Sequence, residues 1–220
     1  TCALPILFVL KAKINNAPFV WTSSGVSRYL PPDPNTGVWS SGDARCVAVV
    51  PGGGLVVAGY ISSQPGNGNA FIWKINSSGT TAWAKTIVND GYGITGVTVS
   101  AKAGAVFVTN DYTSITKLDG GTGLMLKRVT PVGNWGLDNP EVRIALEDGE
   151  EFLYVGGRGS AMWTNNSAFM LSKLTTDLYP VWGKSLWCDG DDLNVNYDYG
   201  HQIFTLGDGQ ASIVGYSYIG

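Results

Sequence analysis

Apolar residues in this chain come in short bursts of about five or six, separated by glycine and small polar residues. Leu55-Val56-Val57-Ala58-Gly59-Tyr60, Ala70-Phe71-Ile72-Trp73-Lys74-Ile75 and Thr80-Thr81-Ala82-Trp83-Ala84-Lys85 show the pattern. Bursts of this length are too short for an ordinary helix. β-Branched and aromatic residues fill them, so they predict strands. Between them stand Pro51-Gly52-Gly53-Gly54 and Asn76-Ser77-Ser78-Gly79, residues that accept the positive φ of hairpin turns. The first two bursts are apolar almost throughout and predict strands buried on both faces. The third alternates, as an outer strand with one wet face does.

The unit repeats. Val57-Ala58-Gly59 is matched by Val108-Thr109-Asn110, Val155-Gly156-Gly157 and Ile213-Val214-Gly215, at intervals of roughly fifty residues. A lysine–apolar pair follows in Lys74-Ile75, Lys117-Leu118 and Lys173-Leu174, with Lys13-Ile14 as an earlier member. A tryptophan comes after the next turn, at Trp21, Trp83 and Trp182, and Lys127 takes that place in one copy. A further strand opens each unit: Cys46–Val50, Ile94–Val99, Val142–Leu146 and Gln202–Leu206. Four antiparallel strands in about fifty residues make a propeller blade. A lone blade leaves two apolar faces open, and stacking covers them, with the outer tryptophan as a plate against the neighbour. The fold class expected is all-β, a β-propeller of four-stranded antiparallel blades. A flat solenoid of hairpins is the alternative.

The segments Lys117-Leu118-Asp119-Gly120-Gly121-Thr122-Gly123 and Lys74-Ile75-Asn76-Ser77-Ser78-Gly79-Thr80-Thr81-Ala82-Trp83 resemble the tryptophan-docking repeat of quinoprotein-dehydrogenase-like (PQQ-like) β-propellers. In that family a strand ends in Leu-Asp, turns at Thr-Gly and places tryptophan four residues later. The resemblance implies the propeller. It implies no activity, since many propellers with this blade carry no cofactor.

The blades expected are approximately 44–87, 94–128 and 141–187, with 7–21 as the outer half of one and 201–220 as the inner half of another. That pattern reads as part of a ring of about six to eight blades, or, if the halves combine, as a closed ring of four. Thr1-Cys2-Ala3-Leu4-Pro5-Ile6 reads like the translation of a sequencing-library adaptor and is set aside.

Composition narrows the classes. Charged residues are 14% of the 220, net charge is −3, and 30 glycines fit a turn-dense β protein. With a pI near 5.0 there is no basic stripe, which argues against nucleic-acid or anionic-membrane partners. No apolar run reaches the length of about twenty residues that spans a bilayer. Three cysteines, Cys2, Cys46 and Cys188, match neither a disulfide framework nor a zinc site; Cys46, on an inner strand, reads as a small buried hydrophobe.

A meander sends its connections to alternate ends. One end receives short hairpins. The other receives the longer Thr22–Asp43, Ile61–Asn69, Val88–Gly93, Asp111–Ser114, Val129–Pro140, Arg158–Ser167 and Cys188–Gly200, rich in tyrosine, tryptophan, asparagine, aspartate and serine. Binding residues gather on loops held by a rigid scaffold. Rings beside amides suit flat polar ligands, so Trp39, Tyr92, Tyr112, Trp135 and Trp163 are the candidate ligand-binding residues. Packing under the loops is the other reading of each ring.

Asp192, Asn194, Asn196 and Asp198 alternate as oxygen donors to calcium would, though Tyr197 stands where a calcium loop needs glycine. A solvated acidic loop is the alternative there. Catalytic constellations are thin: His201 is the only histidine, and no Gly-x-Ser-x-Gly elbow is present. Arg143 either lines a central channel or pairs with an acidic neighbour. The function expected is a non-catalytic module recognising a glycan or protein, in an extracellular, cell-surface or virion setting. It would stand beside the remaining blades of the same chain, with no cofactor apart from the calcium candidate. Alternatives are a fragment of a PQQ-dependent dehydrogenase, which the resemblance raises and the lack of adjacent cysteines opposes, and a purely structural repeat of an adhesin or virion appendage.

Overall fold

The computed structural model describes residues 41–64, 67–87, 93–110, 114–130, 135–161, 167–186, 197–205 and 210–218. They form fourteen strands and no helix. The first sheet runs β1 (Ser41–Val49), β2 (Leu55–Gln64), β3 (Asn67–Ile75), β4 (Thr81–Ile87). The second runs β5 (Ile94–Ser100), β6 (Ala105–Asn110), β7 (Ile115–Asp119), β8 (Met125–Val129). The third runs β9 (Trp135–Glu147), β10 (Glu150–Ala161), β11 (Ser167–Thr175), β12 (Pro180–Leu186). A fourth has two strands, β13 (Tyr197–Thr205) and β14 (Ala211–Tyr218). Every pairing is antiparallel between neighbours in sequence, the meander the repeat predicts.

The sheets stack like blades. β5 packs on β1, β9 on β5 and β13 on β9, so the first strand of each sheet lies nearest a common hub. Between the first and second sheets, Val56, Ala58, Ile72, Val97, Val106, Val108 and Leu118 make one core. Ala105, Phe107, Ile115, Val142, Leu153, Val155 and Leu174 make the next. Ala145, Tyr154 and Ile203 begin the third. Strand β6, apolar from Ala105 to Val108, is buried at every residue because it has a sheet on each side. β4 is exposed at its start and buries Trp83, as its alternation predicts.

At the other end of the described residues β13 packs on β9, β10 and β11. Val47 and Val49, on the face of β1 opposite Ala48, are 58% and 73% exposed.

Each blade grips the next through its outer edge. The third-strand lysine stands directly across from the fourth-strand residue the repeat singles out: Lys74 from Trp83, Lys117 from Lys127, Lys173 from Trp182. The Trp83 indole N–H (3.1 Å) and the Lys74 ammonium (2.6 Å) both donate to the Gly120 carbonyl, in the turn of the next blade. That turn is shaped by Asp119, whose Oδ1 accepts from the Thr122 N–H (2.7 Å), the Thr122 hydroxyl (2.7 Å) and the Gly121 N–H (3.1 Å). Gly123 has φ 70°, and a methyl on it would meet the Trp83 ring at 2.7 Å, so the indole lies flush on glycine. Where Lys127 replaces tryptophan, the grip becomes ionic. Lys117 pairs with the Asp177 carboxylate at 2.7 Å, and Lys127 donates to the Asp177 carbonyl at 2.7 Å with its ammonium over Tyr179.

Leu178 occupies the left-handed position of the third turn (φ 63°), where Gly79 and Gly123 serve the first two. Its side chain is buried in the second core, and about 1.5–3 kcal/mol of burial offsets about 1–2 kcal/mol of backbone strain.

Asp119, through its bonds from Thr122, and Asp177, through its bond from Lys117, both hold their carboxyls below the ordinary value. A carboxylate with a lowered folded-state pKa contributes stability that is present above its unfolded pKa and lost as pH falls through the lowered one. Stability should therefore decline on acidification below the ordinary aspartate value of 3.8. Urea unfolding against pH should show a flatter acid limb for Asp177→Asn than for the wild type; identical limbs would contradict the clamp.

Candidate functional site

The four inner strands share an irregularity that the pairing registers place at one level. An extra residue bulges at Arg45 in β1, Thr95 in β5, Asn139-Pro140 in β9 and His201 in β13. Opposite each stands the last residue of the repeated triplet: Gly59, Asn110, Gly157 or Gly215. A methyl on Gly59 would collide with the Asp43 carbonyl, so glycine recurs because the bulged backbone comes too close for a side chain. A proline inside β9 is tolerated for the same reason: at a bulge the ladder has no use for its missing N–H. The Pro140 carbonyl in turn accepts from the Thr95 and Thr109 hydroxyls, each at 2.6 Å, tying the third blade to the second.

Beyond this level lies the end that carries the longer connections, and there the blades differ in height. β1, β2, β9, β10 and β13 run on past the bulge, while β5 begins one residue before Thr95 and β6 ends at Asn110. An overhang of about four residues, at about 3.3 Å each, is on the order of 13 Å. The second blade therefore sits as a low floor between two taller walls.

The described floor is polar. Asn110 is buried and its Oδ1 accepts from both the N–H and the hydroxyl of Ser114, each at 2.9 Å. The Arg128 Nε donates to the Ser114 hydroxyl at 2.9 Å. Arg45, at the bulge of the first blade, lies 5.5 Å from the centre of the Tyr60 ring.

Toward the hub, Arg143 pairs with Glu141 at 3.2 Å, and Glu141 also accepts from the Ile203 N–H at 3.1 Å. Of the two readings of Arg143, the acidic neighbour holds. Burial pushes the Cys46 thiol up to about 12, outweighing the nearby Arg143 charge; its Sγ lies 3.6 Å from the Ala58 carbonyl.

Several expected loops are corrected. Trp135 is the first residue of β9, paired with Ala161, not a loop residue. Asp198 is the second residue of β13, opposite Ser217. Most of 61–69 belongs to the ends of β2 and β3, and 158–161 to β10. The reason is strand propensity: Tyr60-Ile61, Trp135 with Leu137, and Tyr197 with Tyr199 (facing Tyr218 and Tyr216 in the ladder) favour pairing beyond the bulge. Trp39, Tyr92, Tyr112 and Trp163 lie outside the described residues, as do Asp192, Asn194 and Asn196. Gly93, Asn110 and Ser114, the described residues flanking the connections that carry Tyr92 and Tyr112, belong to the low blade. Among the described residues no three His, Cys, Asp or Glu side chains gather as a metal site. Sequence reasoning missed the bulges, although the Gly/Asn at the end of each triplet was their signal.

No protein-family model matches the chain, and no curated protein does. Among solved structures it is similar to BamB from Moraxella catarrhalis, with 15% identity and a TM-score of 0.41 over 63% of this chain. The match takes in 35% of that protein, so the chain spans about a third of its length.

A thiol held near 12 stays protonated at neutral pH. In a Cys2→Ser, Cys188→Ser background, the half-buried Cys46 should react with a thiol reagent at pH 8 far more slowly in the native protein than after urea unfolds it. Rapid native-state labelling would contradict the burial.

Proposed function

We propose that this chain is a non-catalytic binding module that takes an extended polar ligand, a glycan chain first of all, across the low second blade. What supports the reading is the step in height: two taller sheets flank a short one, on the end where the aromatic connections gather. At the floor the exposed Arg128 guanidinium, anchored through its Nε on the buried Ser114–Asn110 pair, is the group that can donate to sugar hydroxyls. Trp135 opens β9 on one wall, and the connections bearing Tyr92 and Tyr112 leave from the floor's own strands. Stacked rings above fixed hydrogen-bonding groups supply area at low entropic cost. A protein loop is the second ligand class that such a notch admits.

Glycan-array binding, followed by calorimetry on the best hit, tests the reading. Trp135→Ala should weaken binding at least tenfold while thermal stability stays near wild type. Trp39→Ala and Trp163→Ala report how far the surface extends. Unchanged affinity in all three variants would sink the proposal.

A further inference from the structure

The charges of this chain are divided between the inner and outer halves of its blades. The third and fourth strands with their turns, residues 67–87, 115–129 and 167–186, carry Lys74, Lys85, Lys117, Lys127, Arg128, Lys173 and Lys184 against two carboxylates, Asp119 and Asp177. Both carboxylates are engaged where they stand, Asp119 by the groups of its own turn and Asp177 by Lys117. The fourth strands themselves, β4, β8 and β12, hold no acid. The inner halves carry the opposite excess: the third blade alone has Asp138, Glu141, Glu147, Asp148, Glu150 and Glu151 there. A net charge of −3 conceals this division.

Exposed apolar side chains gather at the same outer edge. Leu124, Met125 and Leu126 of the second blade and Tyr179 and Val181 of the third are all exposed. The fold does not demand them. After the left-handed residue of each outer turn, the first blade has Thr80-Thr81-Ala82, exposed as well, where the second has Leu124-Met125-Leu126 and the third Tyr179-Pro180-Val181. The last residue of each trio is the outer-strand bulge, which turns it out of the ladder. The Lys127 ammonium lies 4.0 Å from the centre of the Tyr179 ring, so the two apolar trios adjoin. Since β8 and β12 are the last strands of their sheets, the trios stand on projecting turns and edges and line no groove. Lys127 directly follows Leu126, and Lys184 comes three residues after Val181. At about 3.3 Å per residue, these cations stand about 3–10 Å behind the apolar tips. Edge lysines alone would read as protection against further strand pairing; large exposed apolar side chains beside them act in the opposite sense.

We propose that this outer corner of the second and third blades seats on an anionic lipid surface. Leu124, Met125, Leu126, Tyr179 and Val181 enter the headgroup boundary, and Lys127 and Lys184 meet the lipid phosphates behind them. Charge complementarity selects the anionic surface, because the outer edges carry bases without free acids to oppose them. Shape selects lipid over an acidic protein segment: projecting apolar tips give a peptide no groove, while they can enter a fluid interface. The trios lie at the short-hairpin end of the blades, opposite the notch. A molecule seated in this way keeps its long-connection end in water.

Flotation of the full 220-residue chain with two kinds of vesicle tests the proposal: phosphatidylcholine alone, and equimolar phosphatidylcholine and phosphatidylglycerol. The chain should bind the anionic vesicles, bind phosphatidylcholine at least about tenfold more weakly, and be released as salt is raised. Giving the second blade the trio of the first (Leu124→Thr, Met125→Thr and Leu126→Ala) should lower partitioning at least about tenfold with circular dichroism unchanged. Tyr179→Thr with Val181→Ala makes the same test on the third blade if the triple variant does not fold. Lys184→Gln should lower partitioning about fivefold at low salt. No binding, equal binding to both kinds of vesicle, or a trio variant that floats like the wild type would overturn the proposal. So would capture by soluble polyglutamate as strong as by the anionic vesicles, which would assign the edge to an acidic protein.

Discussion

One contact governs the spacing of the blades: an indole laid flat on a glycine, with its N–H and a neighbouring ammonium sharing one carbonyl. Apolar cores between sheets are non-directional and would tolerate sliding. The hydrogen bonds from Trp83 and Lys74 to Gly120 are directional, lie at the outer rim and fix how far each sheet can rotate against the next. Where the indole is replaced by Lys127, the Asp177 turn supplies both a carboxylate and a carbonyl, so the geometry is preserved by different chemistry. An outer-strand bulge accompanies every clamp, at Ala82, Leu126 and Val181. It accounts for the exposure of Leu126 and Val181 and disturbs edges that would otherwise template further pairing.

The inner bulges do the matching work at the hub. They bend each first strand at one level, demand glycine or a tied-down asparagine opposite, and mark where the blades stop being equal. Below that level the sheets are stitched by Ser100 and Lys102 to Glu151 and Glu150 of the next blade. Above it the second blade ends and its neighbours continue. A rigid repeat is in this way converted into an uneven surface without any change of fold, and surfaces of that kind are where repeat proteins place recognition.

Much of the architecture was legible because its constraints fall on single residue types. The Gly, Asn, Gly, Gly series ending the triplets records the bulges; the Lys-to-Trp interval records the clamp; Lys127 was visible as the odd member. Asp177 was not, because an aspartate in a turn looks the same whether or not it receives two lysines from the neighbouring blade. Leu178 at positive φ carries no sequence signal, since its strain is offset by long-range burial. The candidate site was read less well. Loop boundaries were drawn at the repeat's edges, but Trp135 and Tyr197 carry pairing past them, and strand length beyond a bulge depends on the partner strand as much as on the residue itself. The difference in blade height, on which the functional reading rests, emerged only from comparing registers.

The rim contact is tested most directly by a double-mutant cycle between Trp83→Ala and Gly123→Ala, read by urea unfolding. In the wild type a methyl on Gly123 meets the indole at 2.7 Å as well as an unfavourable φ; without the indole the φ cost remains, with a 3.1 Å contact to the flexible end of Lys85. The account predicts that Gly123→Ala costs at least about 1 kcal/mol less in the Trp83→Ala background, a coupling within the range of side chains in contact. Simple additivity of the two changes would contradict it.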